Sequence, residues 1–125
     1  MKQGGRWAAW VALAWVGLAQ ASDRDGPDCA SWPTNMAEVQ LQNLGLLNLA
    51  QVDLSGIKAE RLTSQSSGHD DYGKVIYRQI HDIRFPLKDG REVCVVTDSK
   101  SLDTECSIGT VDVYVVSRMI DGSRP

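Results

Sequence analysis

Apolar residues follow three successive patterns along this chain. Residues 7–19 are apolar almost without a break (WAAWVALAWVGLA). Met36, Val39, Leu41 and Leu44 then recur at roughly the spacing of one helix face. From Ile57 onward apolar and polar residues alternate, the period of strands.

The middle pattern carries helix punctuation. In Ser31-Trp32-Pro33-Thr34, either Ser31 or Thr34 can cap, Pro33 suits a first turn, and Asn35 with Glu38 makes a capping box. Gly45 is a natural stop. These signals predict one helix over about 33–44. Residues 46–54 are apolar but lack a period, and read as a packed connection with room for a short helical turn.

The strand pattern begins imperfectly over residues 57–66 and breaks at Ser66-Ser67-Gly68-His69-Asp70-Asp71. Residues 72–86 carry Val75, Ile76, Tyr77, Ile80, Ile83 and Phe85. Their spacing slips from two to three around Ile80, which predicts a bulge there. Lys88-Asp89-Gly90-Arg91 is the clearest hairpin turn, because Asp-Gly supplies positive-φ positions. A β-branched strand follows over 91–98, with Val93-Cys94-Val95-Val96 read as buried. After a polar excursion over 99–109, Val111, Val113 and Val115 alternate with Asp112 and Tyr114. A helix segregated from strands predicts an α+β domain: one N-terminal helix packed on an antiparallel meander of about four strands.

The first apolar run has another meaning. Lys2 and Arg6 precede it, no acidic residue does, and it ends at Ala19-Gln20-Ala21. That is the pattern of a secretory signal peptide. The run is also shorter than the roughly 20 apolar residues of a spanning helix. No cysteine follows the exit, so no lipid anchor is indicated. The expected organisation is a leader over 1–21, a flexible acidic tail over 22–30, a single domain over 31–120 and a short tail over 121–125. The mature chain is expected in the periplasm or outside the cell, without a stable membrane anchor.

Cleavage changes the composition. Losing Lys2 and Arg6 takes the formal charge from −3 to −5, and leaves Trp32 as the one tryptophan of four. Lysines and arginines are scattered singly, without the basic face that phosphate neutralisation requires, so nucleic acid is not an expected partner. An oxidising compartment favours a disulfide among Cys29, Cys94 and Cys106. Cys94 sits in an apolar run, whereas Cys29 and Cys106 have polar neighbours. Cys29–Cys106 is therefore the favoured bond and Cys94–Cys106 the alternative. No histidine or helix start is placed to activate a catalytic cysteine.

Few residues suggest chemistry. His69, Asp70 and Asp71 lie between Gly68 and Gly73, where a histidine and two carboxylates could hold a divalent metal or supply a general base. His81 could approach His69 from the neighbouring strand and share a metal ion with it. Ser55 and Lys58 match the S-x-x-K pattern of serine–lysine hydrolases, but at a strand start. Asp98, Asp103 and Glu105, with Lys100, place carboxylates in one polar excursion without the calcium-loop spacing. Trp32, beside Pro33 and near Cys29, suits either a core lid or a binding hot spot.

No cofactor is implied. Small size, acidity and an export signal point to a non-enzymatic binding module of the cell envelope, of the inhibitor or immunity-protein kind, holding a protein partner. The alternative is a small metal-binding protein or hydrolase using the His69-Asp70-Asp71 loop.

Overall fold

The computed structural model describes residues 25–116. The expected leader, its expected exit near Ser22, residues 117–120 of the expected domain and the expected tail over 121–125 lie outside the described residues. Within that range helix α1 (Ser31–Asn43) precedes strands β1 (Lys58–His69), β2 (Val75–Pro86), β3 (Glu92–Ser101) and β4 (Ile108–Val115). The strands form one antiparallel sheet in the order β1-β2-β3-β4, with α1 over β3 and β4. This is the expected α+β arrangement.

The helix ends as its sequence implies but starts differently. Gly45 takes φ +71°, its N–H donates to Gln42 O, and the Leu46 N–H donates to Leu41 O. That pair of bonds is a Schellman cap, which needs the left-handed residue that glycine supplies. At the other end Ser31 is already helical and no side chain caps. The Thr34 hydroxyl instead donates to Ala30 O at 2.7 Å. Pro33 is buried inside the first turn, where its missing N–H costs nothing. Residues 46–57 make two short 3-10 turns, Leu49–Gln51 and Leu54–Gly56. Val52 bridges to Leu87, and the Asp53 N–H donates to Pro86 O, which fastens this connection to the end of β2.

The β2 strand keeps a strict two-residue period, so the bulge expected at Ile80 is not there. Gln79, His81, Ile83 and Phe85 all face inward and are buried. Hydrophobicity slips because two of these inward positions are polar, not because the backbone does. The irregularity sits opposite, on β1, between Arg61 and Thr63 and again between Ser66 and Gly68. The expected buried run at 93–96 is likewise split between faces. Val95 is fully buried, whereas Cys94 and Val96 are half-buried on the face away from α1.

The inward face has two halves. One is apolar: Ala37, Leu41, Leu47, Val52, Ile83, Phe85 and Val95 cluster beneath the helix. The other is polar, with Ser64, Gln79, His81, Thr97, Ser99 and Ser101 at most 2% exposed. Residues 25–30, read from the sequence as part of a loose tail, cover that polar half. Pro27 O accepts from Gln79 Nε2 at 2.7 Å and from Arg61 Nη1 at 3.0 Å, and Asp25 O accepts from the Ser64 hydroxyl. Gly26, at φ +78°, lies so close to Tyr77 that a Cβ would stand 2.7 Å from its ring. The Cys29–Cys106 disulfide then joins this segment to the β3–β4 loop.

Candidate functional site

The His69-Asp70-Asp71 sequence becomes the tip of the β1–β2 hairpin. His69 ends β1, pairs with Val75 and is exposed. Asp70 builds the turn. Its Oδ1 accepts from the N–H groups of Tyr72 at 2.9 Å and Lys74 at 2.8 Å. Its own N–H donates to Lys74 O, and its carbonyl accepts from the Gly73 N–H. A carboxylate holding two backbone donors is organising the turn rather than waiting for a ligand. Gly73 completes it at φ +78°.

What the turn displays is Tyr72. Its side chain is 89% exposed, the largest exposure of any large hydrophobic residue described. Sequence reasoning passed over it, although an aromatic residue inside an Asp/Gly turn has no core to enter. Asp71 is exposed beside it. The β3–β4 loop lies against the same end of the sheet, where Asp103 and Thr104 line a shallow depression with Gly73, Lys74 and Val75. Burial, and then the neighbouring carboxylates of Asp103 and Asp25, push the Tyr77 hydroxyl above its ordinary value. Glu105 in that loop accepts from the Ser107 hydroxyl and N–H, which hold its carboxyl below the usual range. Asp71 on the turn, Asp103 and Glu105 on the β3–β4 loop and Asp25 beside Tyr77 thus lie toward one end of the sheet, with Lys74 in the turn and Arg78 and Lys100 a few residues along β2 and β3.

The remaining candidates do not join this site. His81 lies six residues along β2 from Val75, the partner of His69, so the histidines are separated by roughly 20 Å at strand rise. Among the described residues no group of three or more His, Cys, Asp or Glu is placed to hold a metal ion. Asp98 and Lys100 belong to β3 and not to the excursion, and Asp98 takes a bidentate hydrogen bond from Arg78, its closest contact 2.5 Å. Asp98 raises the Arg78 guanidinium in turn. Ser55 donates to Asp53 at 2.8 Å, and Lys58 opens β1. Cys94 is the free thiol, which burial and then Glu92 push up, away from a reactive thiolate.

Trp32 is half-buried at the start of α1, with its indole N–H enclosed and unpartnered. His81 is fully buried, and neither ring nitrogen finds a partner. Burial pushes its pKa below the ordinary value, against the opposing charge of Asp28 and together with that of Arg61. A histidine without an acid–base relay is poorly placed for proton transfer. The described surface therefore offers a rigid aromatic tip among carboxylates and no assembled acid–base or nucleophile pair. Comparison with known proteins finds no family model, no curated protein and no solved structure that matches this chain.

Proposed function

We propose that the chain is a small exported binding module, without catalytic activity of its own, that engages a basic protein partner through the tip of its β1–β2 hairpin. Export is supported by the leader-like N-terminus and by the Cys29–Cys106 disulfide, a bond that persists in oxidising compartments. No helix among the described residues is long and apolar enough to cross a membrane.

The observation that carries the binding reading is Tyr72, almost wholly exposed on a turn that Asp70 braces at both 2.9 and 2.8 Å. A preorganised tyrosine contributes area with little ordering entropy, and aromatic anchors are enriched at binding hot spots. The surrounding carboxylates of Asp25, Asp71, Asp103 and Glu105 would steer it toward a positively charged cleft. An acidic inhibitor of a basic enzyme gains association rate through such steering.

Site-specific photocrosslinking tests the reading. A photoreactive residue placed at position 72 should give one discrete adduct in envelope extract. Unlabelled protein should compete it away, Tyr72→Ala protein should not, and added salt should weaken it. A probe at Glu60, on the far edge of β1, should give none. Equal labelling from both positions, or none at low salt, overturns the proposal.

A further inference from the structure

The two edges of the sheet are guarded unequally. β1 is interrupted between Arg61 and Thr63 and between Ser66 and Gly68, and it carries Lys58, Glu60 and Arg61. Bulges and charges of this kind keep an edge from recruiting another strand. β4 has one irregularity of its own, between Ile108 and Asp112 opposite Ser99, and then pairs regularly with β3 from Asp112 to Val115, where Asp112 is the sole charged residue. Tyr114, Val115 and Val116 are 59%, 46% and 47% exposed.

The backbone of β4 shows which groups face outward. The Val116 N–H donates to Cys94 O at 2.9 Å, so Val116, Tyr114 and Asp112 turn their peptide groups toward β3. Val111, Val113 and Val115 therefore turn theirs away from the sheet. Gln40 on α1 confirms the phase, because its Nε2 donates to Val111 O at 2.9 Å. That leaves the N–H and C=O of Val113 and Val115 without partners among the described residues.

We infer that two copies of the chain associate through β4, antiparallel about a two-fold axis, with Val113 of each paired to Val115 of the other. This register uses the free backbone groups and leaves Val111 O to Gln40. Tyr114 then faces Tyr114 of the second copy as a non-hydrogen-bonded pair, in which side chains approach most closely. Asp112 falls opposite Val116 of the second copy instead of against its own equivalent, so no like charges meet.

The helices fit the same arrangement. α1 lies over β3 and β4 alike. Continuing the sheet across the axis separates the two α1 helices by two strand spacings, about 10 Å. That matches the roughly 8–10 Å of packed helices, and Val39, adjacent to Gln40 and 48% exposed, is available to fill the space between them. The axis runs through the Val115 half of β4, opposite the β1–β2 tip, so both Tyr72 tips stay accessible.

The protein purified after expression of the full chain should sediment with twice the monomer mass and dissociate on dilution. On a Cys94→Ser background, Tyr114→Cys should oxidise to a covalent dimer. Asp112→Cys should not, being several residues out of register with its own equivalent and beyond disulfide reach. Val115→Pro removes an outward N–H, which edge positions tolerate, and should give a folded monomer. Should that variant fail to fold, the cysteine pair still decides. A wild-type monomer at every concentration overturns the inference, as does cross-linking through Asp112→Cys but not Tyr114→Cys. If another protein's strand occupies β4 in place of a second copy, the pure protein stays monomeric, which equally overturns it.

Discussion

Acid should loosen this fold through one imidazole. His81 is fully buried between Arg61 on β1 and Thr97 on β3, beneath the segment that contains Asp28, and both its nitrogens lack partners. Burial lowers its pKa, Arg61 adds to that, and Asp28 opposes it without prevailing. The unfolded chain therefore takes up this proton at a higher pH than the folded one. Stability is complete above the unfolded value of about 6.5 and falls as the pH drops toward the lower folded value. One proton gives a slope of at most about 1.4 kcal/mol per pH unit, a tenfold change in the folding constant. Asp89 and Glu105, whose carboxyls Arg91 and Ser107 hold low, lose their contribution only in the carboxylate range near pH 4 and below. The two windows are thus separable. Urea unfolding between about pH 5 and 8, in a His69→Gln background that leaves one imidazole, should show the midpoint falling below about 6.5. His81→Leu should remove the slope and be at least as stable at neutral pH, because two unsatisfied nitrogens leave the interior. A flat wild-type profile, or a slope that survives in His81→Leu, would refute the assignment.

Three further outcomes follow from the same geometry. Replacing Cys29 and Cys106 together by alanine reopens a sequence separation of 77 residues, which the chain-entropy account sets at about 4.5 kcal/mol, read as a large drop in melting temperature. Gly26→Ala forces a Cβ against Tyr77 at positive φ, and should cost about 1–3 kcal/mol while raising hydrogen exchange across residues 25–30. Asp70→Ala removes the acceptor for two backbone donors and should destabilise by about 1 kcal/mol. Asp70→Asn keeps a side-chain oxygen for the same two donors, should lose less stability, and should leave the adduct expected from position 72 unchanged.

Most of the architecture was legible because local signals agreed with one another. Gly45 closes a helix and Gly90, at φ +92°, turns a hairpin for reasons that involve only neighbouring residues, although Asp89, expected at positive φ beside it, keeps a negative one. The polarity contrast around the cysteines also pointed to the right pair, Cys29 with Cys106. What misled was the assumption that an inward position is apolar. Gln79 and His81 sit inward because residues 25–30 cover them, and nothing in the local pattern announces that cover. The same long-range contact ties down a segment whose composition is that of a tail. At the hairpin tip the residues singled out were adjacent to the exposed one: Asp70 shapes the turn, while Tyr72 projects from it. Side-chain chemistry marked the place, but only the backbone decided which residue reaches solvent.

The disulfide also has a competitor during folding. Cys94 and Cys106 stand only 12 residues apart in the chain, so both compete for Cys29 as the protein folds. Cys94 lies on the face of the sheet away from α1, whereas Cys29 is buried on the side that residues 25–30 cover. A bond between them would therefore trap an arrangement the sheet cannot adopt. A chain that forms it is rescued by thiol–disulfide exchange, in which the Cys106 thiolate attacks Cys29 sulfur and Cys94 departs as the leaving thiol. The yield of correctly bonded protein in a host should follow its disulfide isomerase more than its oxidase, and Cys94→Ser should remove that dependence.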